Sequence, residues 1–280
     1  MIISVVQLGT VDYATGQRLQ QRLVELRKNN EIANVLLLLE HTPVITLGRN
    51  ARAANVIASP EQLAQRGVEV FDCDRGGDVT FHGPGQIVGY PIFDLRGFAS
   101  SEGKGKTLGA VEYVRRLEEV LIRTCADFGI AAQRIAGLTG VWTISDRVGP
   151  GLGPGPGGSE TRPHTGREEA KIAALGVHIS RGVTSHGFAL NLNTDLSFFD
   201  LIIPCGIESK PVTSMEKELG RLIPLQDVAH SISRNFGVVF ESQILWLENL
   251  DNLLNATLGV PMKPPAELRK LHKEDETFLA

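Results

Sequence analysis

Val35-Leu36-Leu37-Leu38-Leu39 is the stretch on which the fold turns. Five consecutive branched apolar residues with no polar alternation predict a β-strand buried on both faces. Upstream, Thr15 to Asn29 carries Leu19, Leu23 and Leu26 at helical spacing, which predicts an amphipathic helix. Downstream, His41-Thr42-Pro43 interrupts the chain, and Val44 to Leu47 forms a second apolar run that ends at Gly48. Ser59-Pro60-Glu61-Gln62-Leu63-Ala64-Gln65-Arg66-Gly67 predicts a short helix, with Ser59 as N-cap, Pro60 at the first position and Gly67 taking the left-handed exit. A short strand is expected at Val68 to Phe71. A long helix follows from about Leu108 to Phe128, with Val114, Leu117, Leu121, Cys125 and Phe128 on one face. Strand character returns around Gly140 to Ile144, Ile172 to Ile179 and Gly187 to Leu192. Val228, Ile232 and Phe236 mark a last core helix, and Ile244 to Leu254 reads as a further one. Strands and helices first alternate and then run together. That order predicts an α/β domain of the α+β kind, a mixed sheet with helices packed on it.

Composition narrows the class. The 280 residues are 42% apolar and 21% charged, with 28 basic against 32 acidic side chains and a net charge of −4. Such a chain buries a sizeable core and offers no general surface for polyanions, so neither disorder nor nucleic-acid binding is expected. Three cysteines, Cys73, Cys125 and Cys205, are an odd number without CxxC spacing. Disulfide scaffolds and thiolate zinc sites are thereby disfavoured, and a reducing compartment is the natural setting. The seven histidines form no H-E-x-x-H pair, so no metal is expected. The N-terminal residues show no signal peptide, and the run Val35 to Leu39 is far too short to cross a bilayer. A cytoplasmic protein without membrane contact is the expectation.

Two glycine patterns imitate nucleotide sites. Gly153, Gly155 and Gly158 satisfy G-x-G-x-x-G, yet Pro154 and Pro156 remove amide donors and no strand leads in. Gly105-Lys106-Thr107 resembles the end of a P-loop, but Ser100 stands where the first glycine belongs. Gly and Pro are dense from Gly149 to Gly158, so a loop is predicted from Ser145 to about Arg167.

Arg75-Gly76-Gly77-Asp78-Val79-Thr80-Phe81-His82-Gly83-Pro84-Gly85-Gln86 is different in kind. Its glycines let the backbone approach a ligand closely, and it carries a guanidinium, a carboxylate, a hydroxyl and an imidazole. Read alone, it is either a functional loop or a glycine-rich turn between strands. Cys205 lies in Ile202-Ile203-Pro204-Cys205-Gly206-Ile207, where Pro204 and Gly206 break an apolar run around the thiol. A thiolate nucleophile there needs a neighbouring cation or base; an inert buried thiol is the other reading. Cys125 sits on the apolar face of its helix and reads as core, and Cys73 reads as structural.

These segments together resemble the lipoyl(octanoyl) transferase family, cysteine/lysine acyltransferases of lipoate biosynthesis. The resemblance is carried by Glu40 to Arg49, by Arg75 to His82 with Gln86 and Tyr90, and by Gly140-Val141-Trp142. Lys171 to Gly176, His186 to Asn191 and Pro204 to Ile207 complete it, over roughly Ile32 to Phe236. It implies a fold like that of biotin and lipoate protein ligases. It implies transfer of octanoyl from acyl carrier protein to a cysteine thioester, then to the lysine of lipoyl domains of 2-oxoacid dehydrogenases and of the glycine cleavage H protein. By position, Cys205 matches the acyl-carrying nucleophile and Lys171 its activating lysine. Arg75, Gly76, Gly77, Asp78, Val79, Thr80, Phe81 and His82, with Ala174, Leu175 and Gly176 and with Gly187, Phe188 and Ala189, match the segments that hold the acyl group.

No cofactor is needed, because a thioester is already activated. Lys171 acts either as an ammonium that favours the thiolate or as a neutral base. Backbone near Gly76-Gly77 and the amide of Gly206 are candidate oxyanion donors. His82 either orients the lysine, stabilises the intermediate or is structural. Residues 1–240 form the expected catalytic domain, with an insertion at about 145–167; residues 241–280 form a C-terminal extension without an assigned role. The alternatives are an ATP-dependent lipoate or biotin ligase, a cysteine thioesterase, and a noncatalytic module that binds acyl carrier or lipoyl domains.

Overall fold

The structure, a computed structural model, describes residues 1–101, 103, 106–148, 165–204 and 210–253. In chain order its elements are β1 (Ile2–Val11), α1 (Tyr13–Lys28), β2 (Asn34–His41), β3 (Val44–Leu47), α2 (Pro60–Gln65), β4 (Glu69–Asp72), β5 (Val79–His82) and β6 (Gln86–Ile92). They continue with α3 (Ala110–Asp127), β7 (Ala132–Ile135), β8 (Leu138–Val148), β9 (Thr165–Ser180), β10 (Val183–Asn191), α4 (Met215–Leu219), α5 (Leu225–Val239) and β11 (Gln243–Leu247).

Val35 to Leu39 lies within β2, and none of its residues is more than 1% exposed. The strand alternates its contacts with a period of two. Leu36 and Leu38 pack with Leu117 and Leu121 of α3 and with Val228, Ile232 and Phe236 of α5. Val35, Leu37 and Leu39 pack with Leu19, Leu23 and Leu26 of α1. Each such side chain, fully buried, contributes about 1.5–3 kcal/mol. The main sheet runs β11-β1-β2-β6-β10-β9-β8-β7. β1 is parallel to both neighbours, and every other pair is antiparallel. A three-stranded sheet, β4-β3-β5, has its own core around Ile45, Val79 and Phe81, closed by Leu63 of α2 and by Phe199. The expected mixed sheet with packed helices is what forms.

Local signals act as their chemistry dictates. The Ser59 hydroxyl accepts from the Gln62 amide, and the Gln62 side chain accepts from the Ser59 amide, a reciprocal cap at the start of α2. Asp12 caps α1 by accepting from the Thr15 amide at 2.8 Å, which starts that helix at Tyr13 rather than Thr15.

Two expectations need correction. The predicted loop from Ser145 to Arg167 is strand at both ends, since Ser145 pairs with Glu168 and Val148 with Thr165. The backbone ladder carries the β8–β9 pair past the point where its apolar pattern stops. The predicted helix from Ile244 to Leu254 is strand β11 as far as Leu247, paired in parallel with β1 from Ile2–Gln243 to Val6–Leu247, and helix appears only at residues 251–253. Ile244 and Trp246 pack toward α5 and Leu247 toward α1, a period of two that helical spacing mimics over so short a segment. Cys205, Gly206 and Ile207, Gly105, the Gly/Pro stretch from Gly149 to Gly158, and the tail from Leu254 onward lie outside the described residues. Among the described residues no helix is long and apolar enough to cross a membrane, and no group of three or more His, Cys, Asp or Glu could hold a metal ion.

Candidate active site

The loop before β5 is pinned on two sides. From β3, the amides of Gly48, Arg49 and Asn50 donate to the carbonyls of Asp78, Arg75 and Gly77 at 3.3, 3.0 and 3.1 Å. From β9, the Val177 carbonyl accepts from the Gly76 amide at 3.0 Å. Glycine is required at both crossings. A Cβ on Gly48 would lie 2.4 Å from the Gly77 carbonyl oxygen, and one on Gly176 would lie 2.6 Å from that of Gly76. The Arg75 guanidinium is buried and donates to the Thr46 and Asp78 carbonyls, each at 2.7 Å, and to the Thr46 hydroxyl. The Asp78 carboxylate accepts from the amides of Val79 and Arg52 and from Asn55 Nδ2. Both charged groups of the loop thus hold the loop itself. The Gly76 amide is used by Val177, so it is unavailable as an oxyanion donor.

Beneath the loop is a pocket. Arg75, Gly77, Asp78, Thr80, His82, Ala174, Leu175, Gly176, Gly187, Phe188 and Ala189 line it, joined by Tyr13, Val88, Tyr90 and His186. Three of the residues expected to hold a substrate stand apart. Val79 and Phe81 point the other way from β5 into the core of the small sheet, and Gly76 is not part of the lining. The two segments expected on β9 and β10 face each other residue for residue: Ala174 opposite Ala189, Leu175 opposite Phe188, Gly176 opposite Gly187.

Thr80, Ala174 and Ala189 also line a second, smaller chamber with Lys171, Gln86, Asn191, Phe199, Pro204 and Val212. The two chambers therefore adjoin through the Ala174–Ala189 pair. Pro204, from which the chain passes into the undescribed stretch that begins at Cys205, also lines an open outer groove with Ile203, Lys210 and Val212.

Lys171 is buried beside a β-bulge, where Val141–Ala173 and Trp142–Lys171 are successive pairs. Its amide donates to the Pro211 carbonyl at 2.8 Å, and its carbonyl accepts from the Thr213 amide at 2.9 Å. Its Nζ stands 5.0 Å from the centroid of the Trp142 ring, within range of a cation–π contact. Gly140 makes room for the stem: a Cβ there would lie 2.7 Å from Lys171 Cε.

Four aromatic and imidazole rings close the inner end of the pocket. Tyr13 meets His41 at 5.3 Å between centroids and lies parallel to His82 at 6.5 Å; Tyr90 meets His41 at 5.8 Å. Burial pushes His41 down to about 4 and His82 down to about 3, so both imidazoles are neutral near pH 7. His82 Nδ1 lies 2.8 Å from Gln86 Oε1, Gln86 Nε2 donates to Asn191 Oδ1 at 2.8 Å, and Asn191 Nδ2 donates to the Thr213 carbonyl at 3.0 Å. His186 is held in left-handed backbone geometry, with its Nε2 2.7 Å from Asp74 Oδ1. Cys125 is fully buried and its thiol is pushed up to about 12 by burial, which fits its reading as core. Cys73, half-buried, donates to the Leu47 carbonyl.

Sequence reasoning missed Tyr13, Val88, Tyr90 and His186 as lining residues, although Tyr90 and His186 are among the residues that carry the family resemblance. Val88 shares its face of β6 with Tyr90, so strand alternation could have found it. Tyr13 comes from the far end of the chain and carries no local signal.

The family described as the lipoyl protein ligase A/B catalytic domain matches residues 12–237. The chain is 55% identical over 274 residues to an octanoyltransferase of Koribacter versatilis, covering 98% of each chain. It is 57% identical over 256 residues to an octanoyltransferase of Acidobacterium capsulatum, covering 91% of this chain and 96% of that one. Among solved structures, a bipartite lipoate protein ligase from Thermoplasma acidophilum superposes with a TM-score of 0.63 at 14% identity, covering 98% of this chain and 91% of that one. A lipoate-protein ligase A bound with ATP superposes with a TM-score of 0.61 at 13% identity, covering 98% and 94%. At such identity the two structures speak to the fold alone.

Proposed function

This chain belongs to the lipoyl protein ligase A/B catalytic-domain family, and from that premise and the site geometry we propose that it is an octanoyltransferase working through Cys205 and Lys171. It moves octanoyl from acyl carrier protein to the lysine of lipoyl domains, those of 2-oxoacid dehydrogenases and of the glycine cleavage H protein. The observation that carries the reading is the paired chamber. A buried lysine stands at one end, an apolar pocket leads away between Ala174 and Ala189, and the wall includes Pro204, the residue covalently bonded to Cys205.

In the first half-reaction, Cys205 Sγ bonds to the octanoyl carbonyl carbon. The bond from that carbon to the carrier's sulfur breaks, and the carrier thiol leaves with a proton. In the second, the lipoyl-domain amine bonds to the same carbon, the bond to Cys205 Sγ breaks, and the amine gives up a proton. Lys171 assists as an ammonium that favours the Cys205 thiolate, the state that the Trp142 ring face attracts. The alkyl chain lies along Ala174, Ala189, Val88 and Phe188, where each buried methylene contributes about 0.8 kcal/mol.

High identity over nearly the whole chain to octanoyltransferases favours this reading over an ATP-dependent ligase, to which only the fold is similar. The test is intact mass after mixing with octanoyl-acyl carrier protein in the absence of ATP. A gain of one octanoyl group that disappears in Cys205→Ala is expected. No adduct, or one that persists in the variant, overturns the nucleophile. Adding a lipoyl domain then separates transfer to lysine from hydrolysis by a thioesterase.

A further inference from the structure

Gln86 and Asn191 line the smaller chamber together with Lys171, and their orientations are set by the main chain. Asn191 Nδ2 faces the Thr213 carbonyl at 3.0 Å, and Gln86 Nε2 faces the Phe81 carbonyl at 3.2 Å. A carbonyl only accepts, so each of these amide ends must be the NH2. Asn191 therefore presents Oδ1 to Gln86 Nε2, and Gln86 presents Oε1 to His82 Nδ1. An amide oxygen cannot donate, so the proton of His82 is on Nδ1 and its lone pair is on Nε2. The Thr46 hydroxyl, 3.5 Å from Nε2, accepts from Arg75 Nε and Nη2, which leaves its own proton for the imidazole.

We propose that Gln86 and Asn191 are positioning residues: their amides lock His82 as the neutral Nδ1–H tautomer and tie the wall of the acyl pocket to the main chain that holds Lys171. The last link is the Thr213 amide, which donates to the Lys171 carbonyl while Thr213's own carbonyl takes the Asn191 amide. Two consequences follow. His82 has no N–H left for a developing oxyanion, because its one proton is spent on Gln86. His82 itself also stays uncharged beside the alkyl chain, since burial and the neighbouring His41, Arg75 and His186 all disfavour its protonation, and Tyr13 stacks on it. The effect on catalysis rests on the octanoyl-transfer reading, whereas the tautomer does not.

The test uses the full chain labelled with 15N-histidine, with His82 assigned by its loss in His82→Gln. Long-range proton–nitrogen correlations should show Nδ1 protonated and Nε2 bare, unchanged from about pH 5 to about pH 8, the window in which an ordinary histidine titrates. In Gln86→Leu, which removes the acceptor for Nδ1, the tautomers should mix; in Asn191→Ala, where Phe81 still orients Gln86, single-turnover acylation of Cys205 should slow by at least about tenfold, a barrier change of about 1.4 kcal/mol. Gln86→Glu keeps the acceptor for His82 but can donate to neither Phe81 nor Asn191. Its carboxylate should make His82 titrate within that window. An Nε2–H tautomer or a titrating His82 in the unmodified protein overturns the proposal. So does a Gln86→Leu variant that keeps the single tautomer, or an Asn191→Ala variant that keeps the full acylation rate. A protein that never acylates Cys205 sinks the transfer reading instead, and the spectra still decide the tautomer.

Discussion

Gly140 shows what a single missing carbon does at this site. Its backbone sits at φ +137°, where L side chains are strained, and its bare Cα leaves the space that the Lys171 stem occupies. Alanine there would put Cβ 2.7 Å from Lys171 Cε and 3.0 Å from the Ala173 carbonyl oxygen. Backbone strain of this kind costs on the order of 1–3 kcal/mol. Gly140→Ala should therefore lower the unfolding free energy by about that amount and displace the ammonium from Trp142. Acylation of Cys205, followed by intact mass in single turnover, should slow by more than about tenfold. A variant acylated at the original rate would show that the lysine's position is not set by this gap. At this scale the sequence was informative where a role is local. The glycine and charged residues of Arg75 to His82 announce a tightly pinned loop, and Gly48 and Gly176 prove to be its two crossing points. It was uninformative where partners come from afar. Nothing near Tyr13 says that it will stack on His82, and nothing near Thr213 says that its carbonyl will orient Asn191.

Elements were legible in proportion to how far packing, rather than pairing, defines them. β2 and α3 bury side chains in patterns that hydrophobic spacing records directly. The outer β8–β9 arms are set by a backbone ladder beyond the end of their apolar pattern and were read as loop, while β11 is too short for its period of two to be told from helical spacing and was read as helix. The paired arms suggest a definite experiment. Val148 and Thr165 are direct cross-strand partners, and Val148 is six residues along β8 from Trp142, about 20 Å at the usual strand rise. Replacing residues 149–164 by Asn-Gly joins the arms with a two-residue turn whose twist suits a hairpin. Shortening the connection by about eightfold lowers its closure entropy, by about 2 kcal/mol at most. The shortened protein should melt at an equal or higher temperature and still acylate Cys205 at close to the original rate. Loss of acylation in a normally folded variant would give the removed residues a part in catalysis.

For the whole molecule, the decisive feature is where the two sheets and α1 meet. Tyr13 of α1, His41 at the end of β2, His82 at the end of β5 and Tyr90 of β6 bring together both sheets and a helix, and His41 and His82 lie 6.0 Å apart between centroids. His41 is held on both sides: Nδ1 lies 2.6 Å from the Val11 carbonyl, and Nε2 lies 2.6 Å from the Tyr90 hydroxyl. Burial keeps the two imidazoles neutral down to about 4 and about 3. Once unfolded, each binds a proton below about pH 6.5. The unfolded chain therefore holds more protons than the native one throughout that interval, and stability is lost as the pH falls. Burial lowers His186 too, which acts in the same direction. Carboxylates held below their usual range, such as Asp94 beside Arg96, add their loss only at lower pH, so the upper part of the interval reports the histidines. Urea unfolding at a series of pH values should give a flat free energy above about pH 7. Below about pH 6 His41 and His82 together should make it fall by about 2.7 kcal/mol per pH unit, the slope for two protons, with His186 steepening the fall. His41→Gln, whose amide can still donate to Val11 and accept from Tyr90, should reduce the slope by one proton, about 1.4 kcal/mol per pH unit. A profile that stays flat down to about pH 4.5 would mean that protons reach these rings without unfolding, and that the junction between the sheets opens in the native state.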